Sequence, residues 1–186
     1  MRTTGYGMYP KDIAALPAAA GEAAIVLTYA DHRAFTDVSL DRFASVNSTR
    51  LDWQGVEVLE RSEEFDGDGL REMVRRHGGE GELVVAFWGN HAVPSVALEA
   101  EVMAAHAEMV VGSCYECWLY FTDSRVLIEF QDGEGFVAAG VPNWPRTARP
   151  SAPPALRTLR AVTQPGARCS GPGSRTRPAG TRGLPR

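Results

Sequence analysis

The clearest pattern of apolar and polar positions lies between residues 83 and 130. Residues 83–88 (LVVAFW) form a nearly unbroken apolar run closed by Gly89-Asn90, which predicts a strand buried on both faces. From Pro94-Ser95 the spacing becomes helical: Leu98, Val102, His106, Met109 and Val110 recur on one face, with Glu99 and Glu101 near the start. Ser95 serves as cap there, and Gly112 ends the helix in the left-handed conformation. The period then returns to two. Cys117, Leu119 and Phe121 face one way and Trp118 and Tyr120 the other, so residues 115–122 predict a central strand. Asp123-Ser124 makes a tight turn into residues 125–130, where Val126, Ile128 and Phe130 share one face and Arg125 and Glu129 the other. Strand, helix and second strand together predict one right-handed crossover unit, extended by an antiparallel hairpin.

The rest of the chain carries weaker patterns. Residues 12–20 predict a short helix interrupted at Pro17, and residues 23–29 (AAIVLTY) a strand. Asp31-His32-Arg33 reads as a polar turn and residues 35–43 as a further strand. Residues 51–59 alternate loosely, with Gly55 at a bulge. After an acidic loop at 63–69, Asp68 caps a helix over 70–77 that turns Leu70, Met73 and Val74 inward and stops at Gly78-Gly79. Residues 136–141 give a last strand, and Pro142 to Pro145 closes the domain. This order predicts an α+β domain: a single mixed, mostly antiparallel sheet of about six or seven strands with two main helices packed on it.

Charge divides the chain in two. Nine arginines and no acid or lysine fall between residues 145 and 186, so residues 1–144 hold all 23 acidic residues against ten basic ones. The tail, rich in Pro, Arg and Gly, has too few large apolar residues to offset an ordering cost of about 1–2 kcal/mol per residue, and is expected to be disordered. Its lack of lysine and acid favours a segment translated out of frame from GC-rich DNA over an evolved nucleic-acid-binding arm. With no apolar core of signal-peptide length near the N-terminus and no run approaching about 18 apolar residues, the expectation is a soluble, cytoplasmic protein with no membrane partner.

Candidate chemistry is sparse. Cys114-Tyr115-Glu116-Cys117 is a lone CxxC; the remaining thiol, Cys169, lies in the tail, which is too few ligands for structural zinc. The pair enters a strand rather than opening a helix, so it reads as core cysteines. Glu64-x-Asp66-x-Asp68-Gly69 resembles half a calcium loop, but Arg75 stands where the bidentate carboxylate belongs. No metal or cofactor is expected. His77 suits a helix C-terminus, His106 a core edge, and Trp53, Trp88 and Trp118 the core. Two function classes remain. The first is a non-enzymatic binding protein that offers Glu57, Glu60, Glu63, Glu64, Asp66 and Asp68 to a basic protein, in its most specific form an immunity-type inhibitor of a basic toxin or nuclease. The second is a small enzyme with a pocket at strand-end loops, built from Asp31, His32, Asn90 and His91. The acidic body repels nucleic acid, and only the tail has charge suited to it.

Overall fold

The computed structural model describes residues 10–90 and 93–143, with side chains from residue 15 onward. In chain order the elements are α1 (Pro10–Ala20), β1 (Ile25–Val26), α2 (Tyr29–Val38), β2 (Ala44–Ser45), β3 (Leu51–Asp52), β4 (Val58–Ser62) and α3 (Gly67–His77). There follow β5 (Leu83–Trp88), β6 (Val96–Glu99), α4 (Ala100–Ala105), α5 (Ala107–Val111), β7 (Glu116–Phe121), β8 (Val126–Gln131) and β9 (Gly135–Gly140). Seven strands form one sheet in the order β1-β6-β5-β7-β8-β9-β4, and β2 and β3 form a separate ladder. The fold is therefore α+β, as expected, but every pairing is antiparallel and the sheet is not mixed.

Because β7 alternates between two apolar sets, the sheet needs cover on both faces. Cys117, Leu119 and Phe121 join Val84, Ala86, Ile128 and Phe130 under α3, α4 and α5, whose Met73, Val74, Met103 and Val110 complete the larger core. Trp118 and Tyr120 join Val85, Phe87 and Leu127 on the opposite face, covered by Leu27, Phe43 and Leu51 with Phe35 and Trp53 packed alongside. At the close approach of β9 to β4, Gly135 has φ +93°, and a Cβ there would collide with the Ser62 carbonyl oxygen.

Several expectations give way to tertiary pairing. The predicted strand 23–29 is reduced to Ile25 and Val26, which pair with Ala97 and Val96. Thr28 then starts α2 with a capping box: its Oγ1 accepts from Asp31 N (3.2 Å) while Asp31 Oδ2 accepts from Thr28 N (3.3 Å). Asp31-His32-Arg33 is thus the first turn of a helix rather than a loop. Residues 35–43, expected as a strand, are the end of α2 and a 3-10 turn at Leu40–Arg42. α1 runs through Pro17 without interruption. Gly55 (φ +77°) sits in the turn between β3 and β4, and the bulge falls between Val58 and Glu60 instead.

The expected helix from Pro94 to Gly112 is also divided. Residues 96–99 form β6, paired with β5 from Leu83↔Glu99 to Ala86↔Val96, and Trp88 Nε1 donates to Pro94 O (3.0 Å) across the connecting loop. The helical preference of Ala, Leu and Glu yields to hydrogen bonding along a fully buried neighbour. Since β6 and β7 are both antiparallel to β5, they run parallel to each other, and α4 and α5 cross over between them. The crossover exists, with β6 rather than β5 as its first strand. Gly112 ends α5 in a right-handed conformation (φ −68°). Asp66, not Asp68, caps α3, accepting from Gly69 N at 2.8 Å.

One buried carboxylate fastens three connections. Glu82, 2% exposed, accepts from Gly79 N (2.7 Å), Asp123 N (2.8 Å) and Ser124 N (2.7 Å), while its carbonyl oxygen takes Ala100 N (2.8 Å). It joins the approach to β5 to the β7–β8 turn, in which Arg125 holds a left-handed φ of 54°. Burial alone would push the Glu82 carboxyl up, but the N–H groups of Gly79, Ser124 and Asp123 outweigh it and hold it below its usual value.

Candidate functional site

Two places collect polar side chains. The first lies on the face of the sheet covered by α2 and the β2–β3 ladder. Period two turns Glu129 toward the same face as Leu127, and because that face is covered, Glu129 is 2% exposed rather than solvent-facing as its polarity suggests. Its oxygens receive only donors: Leu51 N (2.8 Å), Trp118 Nε1 (3.0 Å) and Gln131 Nε2 (3.4 Å) on Oε1, and Trp53 Nε1 (2.8 Å) on Oε2. A carboxylate is the side chain that accepts from all of them without presenting a hydrogen of its own. Burial pushes its pKa up, and the four donors offset this only in part.

Beside this network lies a cavity of about 270 Å³, walled by His32, Thr36, Leu40, Ser45, Arg50 and Trp118 among others. His32 is 7% exposed; its Nδ1 shares a 2.8 Å hydrogen bond with Ser95 Oγ, and its ring meets the edge of Phe87. Ser95 is fully buried, so this contact orients the imidazole rather than presenting a nucleophile. At the rim Arg33 pairs with Asp37 (2.8 Å) and Asp41 (3.6 Å), and Arg50 pairs with Glu134. Both guanidiniums are therefore compensated within the chain, and the cavity suits a small polar molecule better than a bare anion. Of the strand-end residues singled out in the sequence, Asp31 is spent in the α2 cap, His32 lines this cavity, Asn90 is exposed after β5, and His91 lies outside the described residues.

The second place is the outer edge of the sheet, along β4 and the turn into α3. Glu57, Glu63, Glu64, Asp66 and Asp68 are exposed there, next to exposed Leu59 and Phe65. Asp66 is committed to the α3 cap and Asp68 pairs with Arg71. Glu60 is half-buried and pairs with Arg76, and it accepts from His77 Nε2 at 2.9 Å. Burial and then the Arg76 charge push the His77 pKa down, so the neutral ring donates its N–H to the carboxylate. Beside these groups a hollow of about 190 Å³ is lined by Glu60, Glu64, Glu72, Arg61 and Arg76, among others. Glu72 sits 3.7 Å from Arg76, so that one guanidinium serves two carboxylates.

Among the described residues no group of three or more His, Cys, Asp or Glu side chains comes together to hold a metal ion, and no helix is long and apolar enough to cross a membrane. Trp88 and Trp118 are core residues, and Trp53 packs edge-on to Phe43 at 5.3 Å. His106 is half-buried at the break between α4 and α5. No protein-family model matches the chain, and no curated protein is similar enough to count as a relative. Sequence reasoning missed Glu129, Glu82 and the His32–Ser95 contact. The first had one available signal, the apolar Leu127 two residues before it on the same face of the strand.

Proposed function

We propose that the protein is a non-enzymatic binding protein that receives a basic protein partner on its β4–α3 edge. The observation that carries this reading is the acid-lined hollow beside that edge, where Glu60 and Glu72 share Arg76, Glu64 adds a third carboxylate to the lining, and Leu59 and Phe65 lie exposed. A partner's lysine or arginine entering the hollow would take over carboxylates now shared with Arg76, while Glu57 and Glu63 steer its approach. The exposed apolar pair supplies the surface that charge alone does not. In its most specific form the protein is an immunity-type inhibitor that occludes a cationic toxin or nuclease in the cytoplasm. In the rival enzyme reading Asp31 is committed to the α2 cap and His32 is held against the fully buried Ser95.

The test is affinity capture from the source cells with the full chain and with a charge-reversed Glu57→Lys, Glu63→Lys, Glu64→Lys variant. Both proteins are checked for equal melting temperature. The expected result is a basic protein captured by the wild type alone and released as salt approaches about 1 M, where the screening length is about 3 Å. Capture indifferent to salt, or equal capture by the variant, refutes the reading.

A further inference from the structure

We propose that Cys114 and Cys117 are a redox-switchable thiol pair, with Cys114 the entry sulfur for a low-molecular-weight disulfide and Cys117 the resolving sulfur. Three observations independent of the β4 edge support this. The chain bends at Tyr115, between the two cysteines, as it passes from the turn after α5 into β7. Cys114 packs against the same core cluster that contains Cys117, its thiol turned toward Val110 O at 3.8 Å, and both are free thiols. The pair is also asymmetric. Cys117 is fully buried in the larger core, whereas Cys114 is half-buried and lines a cavity of about 410 Å³ with Gly112, Ser113, Tyr115 and Asp132. Tyr115 on that rim is 77% exposed. The reading of both cysteines as core residues thus holds for Cys117 and not for Cys114.

The asymmetry sets the order of events. The Cys114 thiolate attacks one sulfur of a disulfide RSSR, forming the Cys114–SR bond and releasing RS⁻, which takes up a proton. The Cys117 sulfur then attacks Cys114 Sγ, its proton passing to the departing RS⁻. The Cys114–SR bond breaks, the intramolecular disulfide forms, and the second RS⁻ leaves as RSH. Two protein thiols lose two electrons and two protons, and RSSR becomes two RSH. The surroundings favour the product. The neighbouring Cys114, burial, and the charges of Glu116 and Glu129 all push the Cys117 thiol well above its usual value. Cys117 therefore adds no thiolate stabilisation to the reduced state, the feature that makes a disulfide strongly oxidising.

The test uses the full-length chain carrying Cys169→Ser, which silences the remaining thiol. The native protein is incubated with oxidised glutathione, its free thiols are trapped with an alkylating agent, and the products are read by intact mass and peptide mapping. The expected result is loss of two hydrogens and a Cys114–Cys117 crosslink. Cys117→Ser should stop at one glutathione adduct on Cys114, and Cys114→Ser should remain unmodified. Cys117→Ala, small and apolar, serves if the serine variant does not fold. An unreacted parent, a parent that accumulates the adduct without closing, or a Cys114→Ser variant modified as fast as the parent overturns the proposal.

Discussion

Replacing Glu82 with glutamine changes one atom and tests how the sheet is fastened to its connections. The carboxylate accepts three backbone N–H groups at 2.7–2.8 Å while 2% exposed. An amide has one acceptor oxygen. If it stays on Asp123 N and Ser124 N, its NH₂ faces the Gly79 N–H, donor against donor. The bond lost is charge-assisted and worth about 1.5–3 kcal/mol. The two retained bonds weaken from charged to neutral strength, about 0.5–1 kcal/mol each. Relief from burying a charge returns part of this, leaving a net destabilisation of about 2–4 kcal/mol at pH 7. The pH dependence identifies the cause. The folded carboxyl titrates below its ordinary 4.5, so its stabilisation is complete above about pH 4.5 and is lost as pH falls through the lower folded value. Urea unfolding of wild type and Glu82→Gln, followed by far-ultraviolet circular dichroism from pH 7 to pH 3, should show a gap that closes on acidification. A gap independent of pH, or a variant as stable as wild type at pH 7, would falsify the assignment of Glu82 as an anionic clamp.

Two further outcomes follow from single side chains. Asp66→Ala should cost about 1 kcal/mol in chemical denaturation through loss of the α3 cap, whereas Asp68→Ala, which removes only a largely exposed pair with Arg71, should change little; the reverse order would return the cap to Asp68. Trp53 and Trp118 both donate to Glu129, so intrinsic fluorescence should report its ionisation as a transition above pH 4.5 that is absent in Glu129→Gln. This raised group contributes stability in full below about pH 4.5 and loses it as pH rises through its folded value, opposite in sign to Glu82; a fluorescence transition that persists in Glu129→Gln assigns it to another group.

The antiparallel run β7–β8–β9 was legible because its information is local. Period-two alternation in 116–121 and 126–131 and the polar turn at Asp123-Ser124 name strands and connection together, and two apolar faces on β7 require a central strand. The amphipathic stripe of Leu70, Met73 and Val74 likewise placed α3. What local pattern left open was decided by partners distant in sequence. Whereas the start of α2 at the Thr28–Asp31 capping box is a local signal that the polar-turn reading passed over, residues 96–99 become a strand because the buried β5 supplies their hydrogen bonds. The same holds for the polar groups. The hollow at β4 joins residues of two elements, His32 meets a serine 63 residues away, and Glu129 is buried only because Trp53 and Leu51 fold over it from more than 70 residues earlier. A sequence specifies which face of a strand a side chain takes, but whether that face meets water or another layer depends on chain that packs there from elsewhere.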